Sequence, residues 1–223
     1  MKTILFQGDS LTDACRDKEA GVTDPNKILG VGYVNAAAQY LMSMDPQIRV
    51  LNHGVNGNRI MDLYARWIED TLNVDFQILS ILCGVNDVGF DLRMNKGADA
   101  EKFAFIYDRM LHEVKEKKPE AVLVLCEPFL CRLNRDEADY GTDIIDNWEI
   151  WDGRIKELAE VVRDLAGKYE AVLVPCRKLF ADACRLAPAS RWSVDGIHLT
   201  TAGNGLLARE WIRCVKGAGH VLV

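Results

Sequence analysis

The chain has no long hydrophobic run. Its longest, residues 78–85, already includes Ser80 and Gly84, far short of the ~20 apolar residues a membrane helix needs. Near the start, Ile4, Leu5 and Phe6 give way at once to Gly8-Asp9, too little apolar chain for the core of a signal peptide. Clusters of Lys and Arg are also missing. The 27 basic side chains are outnumbered by 33 acidic ones, a net charge of −6, so neither nucleic acid nor a membrane is an expected partner. No internal repeat and no linker rich in Gly, Ser or Pro interrupts the chain, and residues 1–223 are expected to form a single domain. Histidine is scarce at four residues, which leaves few centres for imidazole chemistry. Cysteine is not scarce, but the seven are an odd number and no C-x-x-C pair occurs. That excludes a zinc ribbon and a dithiol redox site. Cys83, Cys126, Cys176 and Cys214 fall in apolar runs, and reduced thiols in a cytoplasmic protein are expected.

What is present is an alternation of short apolar runs with helical patterns. Strands are predicted at 3–6, 49–51, 76–83, 121–126 and 171–174. Helices are predicted at 33–44, 62–72, 103–117, 144–165 and 202–215. Continuously apolar strands such as 76–83 suit a parallel sheet covered on both faces. The alternation implies right-handed crossovers with helices on each side. Two polar stretches, 88–102 and 127–143, each follow a strand, on the edge where open α/β sheets bind ligands. The apolar stripe through 144–165 reads as a core or subunit face, and exposed-looking tryptophans make a homo-oligomer an expectation.

The polar residues that carry information stand where strands end: Gly8-Asp9-Ser10, then Asn52-His53-Gly54-Val55-Asn56-Gly57, then Gly84-Val85-Asn86-Asp87. Asp195-Gly196-Ile197-His198 comes late in the chain. The carboxyl ends of parallel strands share one edge, so these groups converge. Ser10 is a nucleophile only if a base takes its proton; its plain alternative is a turn or helix-capping serine. His198 is the candidate base, with Asp195 three residues earlier aimed at Nδ1, leaving Nε2 for the serine. A loop histidine bonded to a local carboxylate is the alternative. Gly54, through its N–H, and Asn86, through its side-chain amide, are candidate donors to an oxyanion, with the Ser10 N–H a third. Turn geometry and an Asx-turn are their alternatives. His53 reads as a rim residue, His112 as part of a charged helix face and His220 as part of the tail.

Together the four blocks resemble the SGNH hydrolases, the GDSL-type esterase family, through Gly8-Asp9-Ser10-Leu11-Thr12-Asp13, Gly54 in its block, Gly84-Val85-Asn86-Asp87 and Asp195-Gly196-Ile197-His198. The likeness runs over nearly the whole chain. It implies a three-layer α/β/α, flavodoxin-like fold with a five-stranded parallel sheet. It also implies a Ser10–His198–Asp195 triad, an oxyanion hole from Ser10, Gly54 and Asn86, and no cofactor or metal. Asp9 and Asp87 are expected to hold loops by accepting backbone N–H bonds. The texture of residues 29–34, Ala65-Arg66-Trp67 and Trp192 is similar to bacterial cytoplasmic esterases that deacetylate xylo-oligosaccharides. On that likeness Asp9, Tyr33 and Trp192 are candidate substrate contacts, Trp192 by stacking on a sugar ring or, alternatively, packing beneath the histidine loop.

The resemblance implies a serine esterase of small, acetyl-type esters of carbohydrates. Lysophospholipase or thioesterase action on longer acyl chains is the alternative within that class. Outside it stand a non-catalytic carbohydrate-binding protein on the same fold, and a metal-dependent phosphoesterase built on Asp9, Asp13, Asn86, Asp87 and His198.

Overall fold

The computed structural model describes residues 2–19, 23–137 and 142–219. Five parallel strands form one sheet: β1 (Lys2–Gly8), β2 (Ile48–Asn52), β3 (Ile78–Leu82), β4 (Val122–Cys126) and β5 (Val172–Val174), in the order β2-β1-β3-β4-β5. Side chains alternate across such a sheet with period two, and here both sets are apolar. Ile4, Phe6, Ile78, Leu82, Val124, Cys126 and Val174 face one core. Leu5, Leu79, Ile81, Leu123 and Leu125 face the other. Two buried faces explain why these segments read as continuous apolar runs.

The first helix, α1 (Ser10–Asp13), is a single turn, and α2 (Pro25–Ile28) is another. The first core is closed by α3 (Tyr33–Met44), α9 (Cys176–Leu186) and α10 (Thr201–Gly217). The second is closed by α4 (Ile60–Ala65), α6 (Ala100–Lys117) and α8 (Trp148–Lys168). Between them in sequence lie α5 (Val85–Met94) and α7 (Thr142–Asp146). This is the three-layer α/β/α arrangement expected. Among the described residues no helix is long and apolar enough to cross a membrane.

Strand existence follows the sequence reading closely, whereas several helices do not. The stripe through 144–165 is broken at Asn147 into α7 and α8. The predicted helix 62–72 starts at Ile60 and continues, after a break at Arg66, as a π-turn over Ile68–Leu72. Residues 85–94, seven of them in the polar stretch 88–102, are helical. Their buried face is only Val85, Asp87, Val88 and Gly89, so polar residues mask the period. Gly89 is a glycine because Trp151 lies on it: a Cβ there would stand 2.9 Å from the indole. Helix α9 is hidden the same way, with Cys176, Phe180 and Ala183 its buried positions among charged neighbours. Of the stretch 127–143, residues 138–141 lie outside the described residues, as does His220.

The sheet order reverses direction between β1 and β3. The chain leaves β1 for β2 on one side and returns to the other side for β3. At such a switch point the loops after the two central strands part and leave a crevice. Gly8 ends β1 opposite Leu82 of β3, so residues 9–13 and 84–87 meet at that crevice.

The first core holds a buried polar bond. Ser80, in the middle of β3 and fully buried, accepts a hydrogen bond from Trp211 Nε1 at 2.9 Å, and the indole packs on Phe6 with ring centroids 5.0 Å apart. Trp211→Phe strips the serine of its donor and opens a void. It is expected to lower unfolding free energy by about 2–4 kcal/mol. Adding Ser80→Ala is expected to cost less in that background than in the wild type. A double-mutant cycle of urea unfolding measures both.

Candidate active site

The turn after β1 is shaped by close packing. Gly8 has φ +157, close to extended, and a Cβ on it would meet the Leu82 carbonyl at 2.3 Å and Thr12 Oγ1 at 2.4 Å. Asp9 then caps α1, its carboxylate accepting the Leu11 N–H at 3.0 Å. Ser10 is therefore the first residue of that turn, where a backbone N–H has no intrahelical acceptor.

The segment 193–199 folds into a tight loop closed by a bridge between Ser193 and Leu199. Ser193 Oγ accepts the Gly196 N–H at 2.9 Å and donates to the His198 carbonyl at 2.8 Å. Gly196 takes φ +94, a conformation that favours glycine. Asp195 Oδ1 accepts the Ile197 and His198 N–H groups at 2.9 and 2.7 Å, and Oδ2 accepts His198 Nδ1–H at 2.6 Å. With Nδ1 donating, Nε2 of the neutral ring is an acceptor. It lies 2.9 Å from Ser10 Oγ. Burial alone would raise the Asp195 carboxyl, but the bonds from the His198 ring and N–H outweigh it and hold the group below its ordinary 3.8. The bond to Asp195 in turn lifts His198 above its ordinary 6.5, against the effect of burial.

The loop after β2 is bound to the end of β1. The His53 N–H donates to the Phe6 carbonyl at 2.8 Å and the Val55 N–H to the Gly8 carbonyl at 3.0 Å. Asn52 reaches under α1, donating from Nδ2 to the Thr12 and Leu29 carbonyls at 2.7 and 2.9 Å. Its Oδ1 accepts the Gly54 N–H at 3.0 Å. That corrects the expected role of Gly54: its N–H is committed to Asn52. The residue is a glycine because a Cβ would stand 2.3 Å from the Asp13 nitrogen. Gly57, three residues on, has φ +78, open space around its Cα, and an N–H with no partner among the described residues. Asn86, on the first turn of α5, donates from Nδ2 to the Asn58 carbonyl at 3.1 Å, which leaves its second amide hydrogen free. Arg66 fixes the same turn. Its Nε donates to Asn58 Oδ1 at 2.7 Å, Nη1 pairs with Asp70 at 2.7 Å, and Nη2 reaches the Gly8 carbonyl at 3.4 Å.

The substrate contacts anticipated from Asp9 and Tyr33 are not available. Tyr33 is fully buried, its hydroxyl 3.2 Å from Thr12 Oγ1. Asp9 is buried beneath α1 with Oδ2 unpartnered, and burial pushes its carboxyl up to about 7. Trp192, half-buried, packs against the first core and donates its indole N–H to the Ala183 carbonyl at 3.1 Å, as the packing alternative describes. Asp87 holds a loop as expected, both oxygens 3.1 Å from the Ile60 nitrogen; burial pushes it up to about 8. His53 donates from Nδ1 to the Asp70 carbonyl at 2.8 Å, and burial lowers its pKa. Among the described residues no group of three or more His, Cys, Asp or Glu side chains is arranged to hold a metal ion.

A cavity of about 430 Å³ opens at Ser10 and His198. Leu11, Val31 and Leu199 supply its apolar wall, and Asn56, Asn204, Asp13, Arg16 and Lys18 its polar one. Sequence reasoning missed Gly57 and the cavity-lining Arg16, Lys18 and Asn204. The second glycine of its block and the basic residues just past the Ser10 turn were the available signals.

The GDSL-like lipase/acylhydrolase family model matches residues 6–206. An acetylxylan esterase of Geobacillus stearothermophilus is 30% identical over 218 residues, 94% of this chain and 92% of that protein. A putative GDSL-like lipase from Parabacteroides merdae superposes with a TM-score of 0.86 at 33% identity, covering 99% of this chain and 96% of that one. A variant of the Geobacillus acetyl-xylooligosaccharide esterase superposes with a TM-score of 0.81 at 27% identity, covering 96% and 94%. Two further variants of that enzyme, one with a serine and one with an aspartate replaced by alanine, are described as catalytic mutants.

The buried Asp87 carboxyl has its folded pKa near 8 against an ordinary 3.8. It favours the folded state while protonated, and that contribution is lost as pH rises through about 8. Asp87→Asn is therefore expected to raise Tm relative to wild type at pH 9 by more than at pH 5, read by thermal melts at the two pH values.

Proposed function

We propose that this chain, which belongs to the GDSL-like lipase/acylhydrolase family and is a carboxylic ester hydrolase, cleaves acetyl esters of carbohydrates through a Ser10–His198–Asp195 triad. The observation that carries the reading is the unbroken relay at the cavity mouth: Ser10 Oγ to His198 Nε2 at 2.9 Å, and His198 Nδ1 to Asp195 Oδ2 at 2.6 Å. An ester carbonyl enters with its oxygen towards the Ser10 N–H, the Gly57 N–H and the free amide hydrogen of Asn86. Gly57 takes the place expected of Gly54 because only its N–H is without a partner. His198 removes the Ser10 proton as Oγ attacks, and the tetrahedral intermediate's oxyanion is held by those donors. His198 then protonates the departing alcohol. Water, deprotonated by the same ring, releases the acid from the acyl-enzyme.

The acetyl and sugar preference rests on the similarity to the Geobacillus esterase and on the polar side chains of the cavity wall. A series of aryl esters from C2 to C12, run beside acetylated xylobiose, tests it. A C2 optimum with sugar deacetylation supports it, and a C8 optimum sinks the substrate part alone. Labelling of Ser10 by a fluorophosphonate tests the nucleophile.

Asn86→Ala is expected to lower kcat by about 10²–10³ while leaving Tm near wild type; an unchanged kcat removes Asn86 from the oxyanion site. His198 must be neutral to act as base, and its pKa is raised above 6.5. So kcat/KM is expected to fall as pH drops through a midpoint above 6.5. Asp195→Asn is expected to move that midpoint down and to cut kcat by roughly 10⁴. Rate profiles from pH 5 to 9 check both.

A further inference from the structure

Besides His198, three side chains of the charged types line the catalytic cavity: Asp13, Arg16 and Lys18. Asp13 is buried and its carboxylate is fully engaged. Oδ1 accepts the Arg16 N–H at 3.2 Å, Oδ2 accepts the Asn56 N–H at 2.7 Å, and Lys18 Nζ pairs with Oδ2. Lys18 and Asp13 therefore neutralise each other.

Arg16 has no such partner. Its Nε donates to the Gly54 carbonyl at 2.8 Å, which fixes the plane of the guanidinium. Among the described residues its two terminal amino groups have no acceptor, and no carboxylate lies within ion-pair distance of them. Burial draws its pKa below the ordinary arginine range, and Asp13 and Asp70 act on it only from further off. Charges taken partly out of water are normally paired. An acidic chain, net −6, thus leaves in the wall of the catalytic cavity a cation that is unpaired among the described residues. The guanidinium offers two parallel N–H donors, a geometry matched by a carboxylate.

We propose that Arg16 recognises a carboxylate on the substrate, and that its preferred esters are acetylated acidic sugars, oligosaccharides that carry a uronic acid. This rests on the ester-hydrolase reading of Ser10 and His198. An acetyl group bears no charge, so the carboxylate belongs to the alcohol half. Asn56 in the same wall offers its side-chain amide to sugar hydroxyls, and Asn204, whose Nδ2 is committed to the Leu199 and Thr200 carbonyls, offers its Oδ1.

The test compares kcat/KM for acetylated xylo-oligosaccharides with and without a glucuronic acid branch, at low and at 0.5 M salt. 4-Nitrophenyl acetate and 4-nitrophenyl hemisuccinate run beside them. The acidic sugar is expected to be favoured about tenfold, chiefly through KM, and salt is expected to shrink that margin. Arg16→Gln is expected to bring the acidic-to-neutral ratio close to one. Lys18→Glu, a change at a half-exposed side chain, is expected to push the ratio below one and keeps the test alive if Arg16→Gln does not fold. A ratio of one in the wild type overturns the proposal, as does a ratio unmoved in Arg16→Gln. Preference for the hemisuccinate without preference for the uronate overturns the placement of the carboxylate on the alcohol. Failure to hydrolyse any of the four esters counts against the ester reading instead.

Discussion

The catalytic edge hangs from the last carbonyls of one strand. β1 lies between β2 and β3, its backbone paired with β2 up to Phe6 and with β3 up to Gly8. Beyond the ladder, the Phe6 and Gly8 carbonyls still accept the His53 and Val55 N–H groups, and Gly8 also receives the Arg66 guanidinium. These bonds set the height of the loop after β2 against the turn that presents Ser10. Two glycines make the approach possible, because Gly8 and Gly54 stand where a Cβ would run into Leu82, Thr12 or Asp13. The switch in strand order opens the crevice, and the pairing of β1 decides which atoms face it.

Charge is handled differently on the two sides of that crevice. Around Asp195 and His198 it is fully paired, with three donors on one carboxylate. Beneath Ser10, Asp9 and Asp87 are buried with raised pKa values, and each raises or steadies another group: Asp9 helps to raise both His198 and Asp87. A carboxyl with one oxygen unpartnered is an expensive thing to bury. Its position under the nucleophile's turn, capping α1, is what keeps it there. Arg66 serves the third corner, tying Asn58 to the end of β1 while Asn58 carries Asn86.

Much of this was legible in the sequence. The five strands were readable because both their faces are buried, and the polar blocks because parallel strands bring their ends together. Asp195 and His198 were readable as a pair since three residues of separation suffice for one tight turn. Gly54 was misread for a physical reason. Two glycines in one block satisfy the same rule for a free N–H, and only the fold reveals that Asn52 takes one of them. Tyr33 and Asp9 look polar in sequence, yet a hydroxyl satisfied by Thr12 and a carboxylate used as a cap are compatible with burial. Helices α5 and α9 were obscured because their buried stripes are narrow and their remaining positions charged.

The bond between Ser10 Oγ and His198 Nε2 joins residues 188 positions apart. Asp195 and His198 by contrast belong to one local loop. During synthesis on a ribosome, at about 5–20 residues per second, the serine turn is made first. It waits on the order of ten seconds or more for its base. A nascent or truncated chain that stops short of the 193–199 loop can display Ser10, but it has no group to activate it. The distance in sequence thus acts as a timer, keeping the nucleophile without its base until all five strands of the sheet have been made.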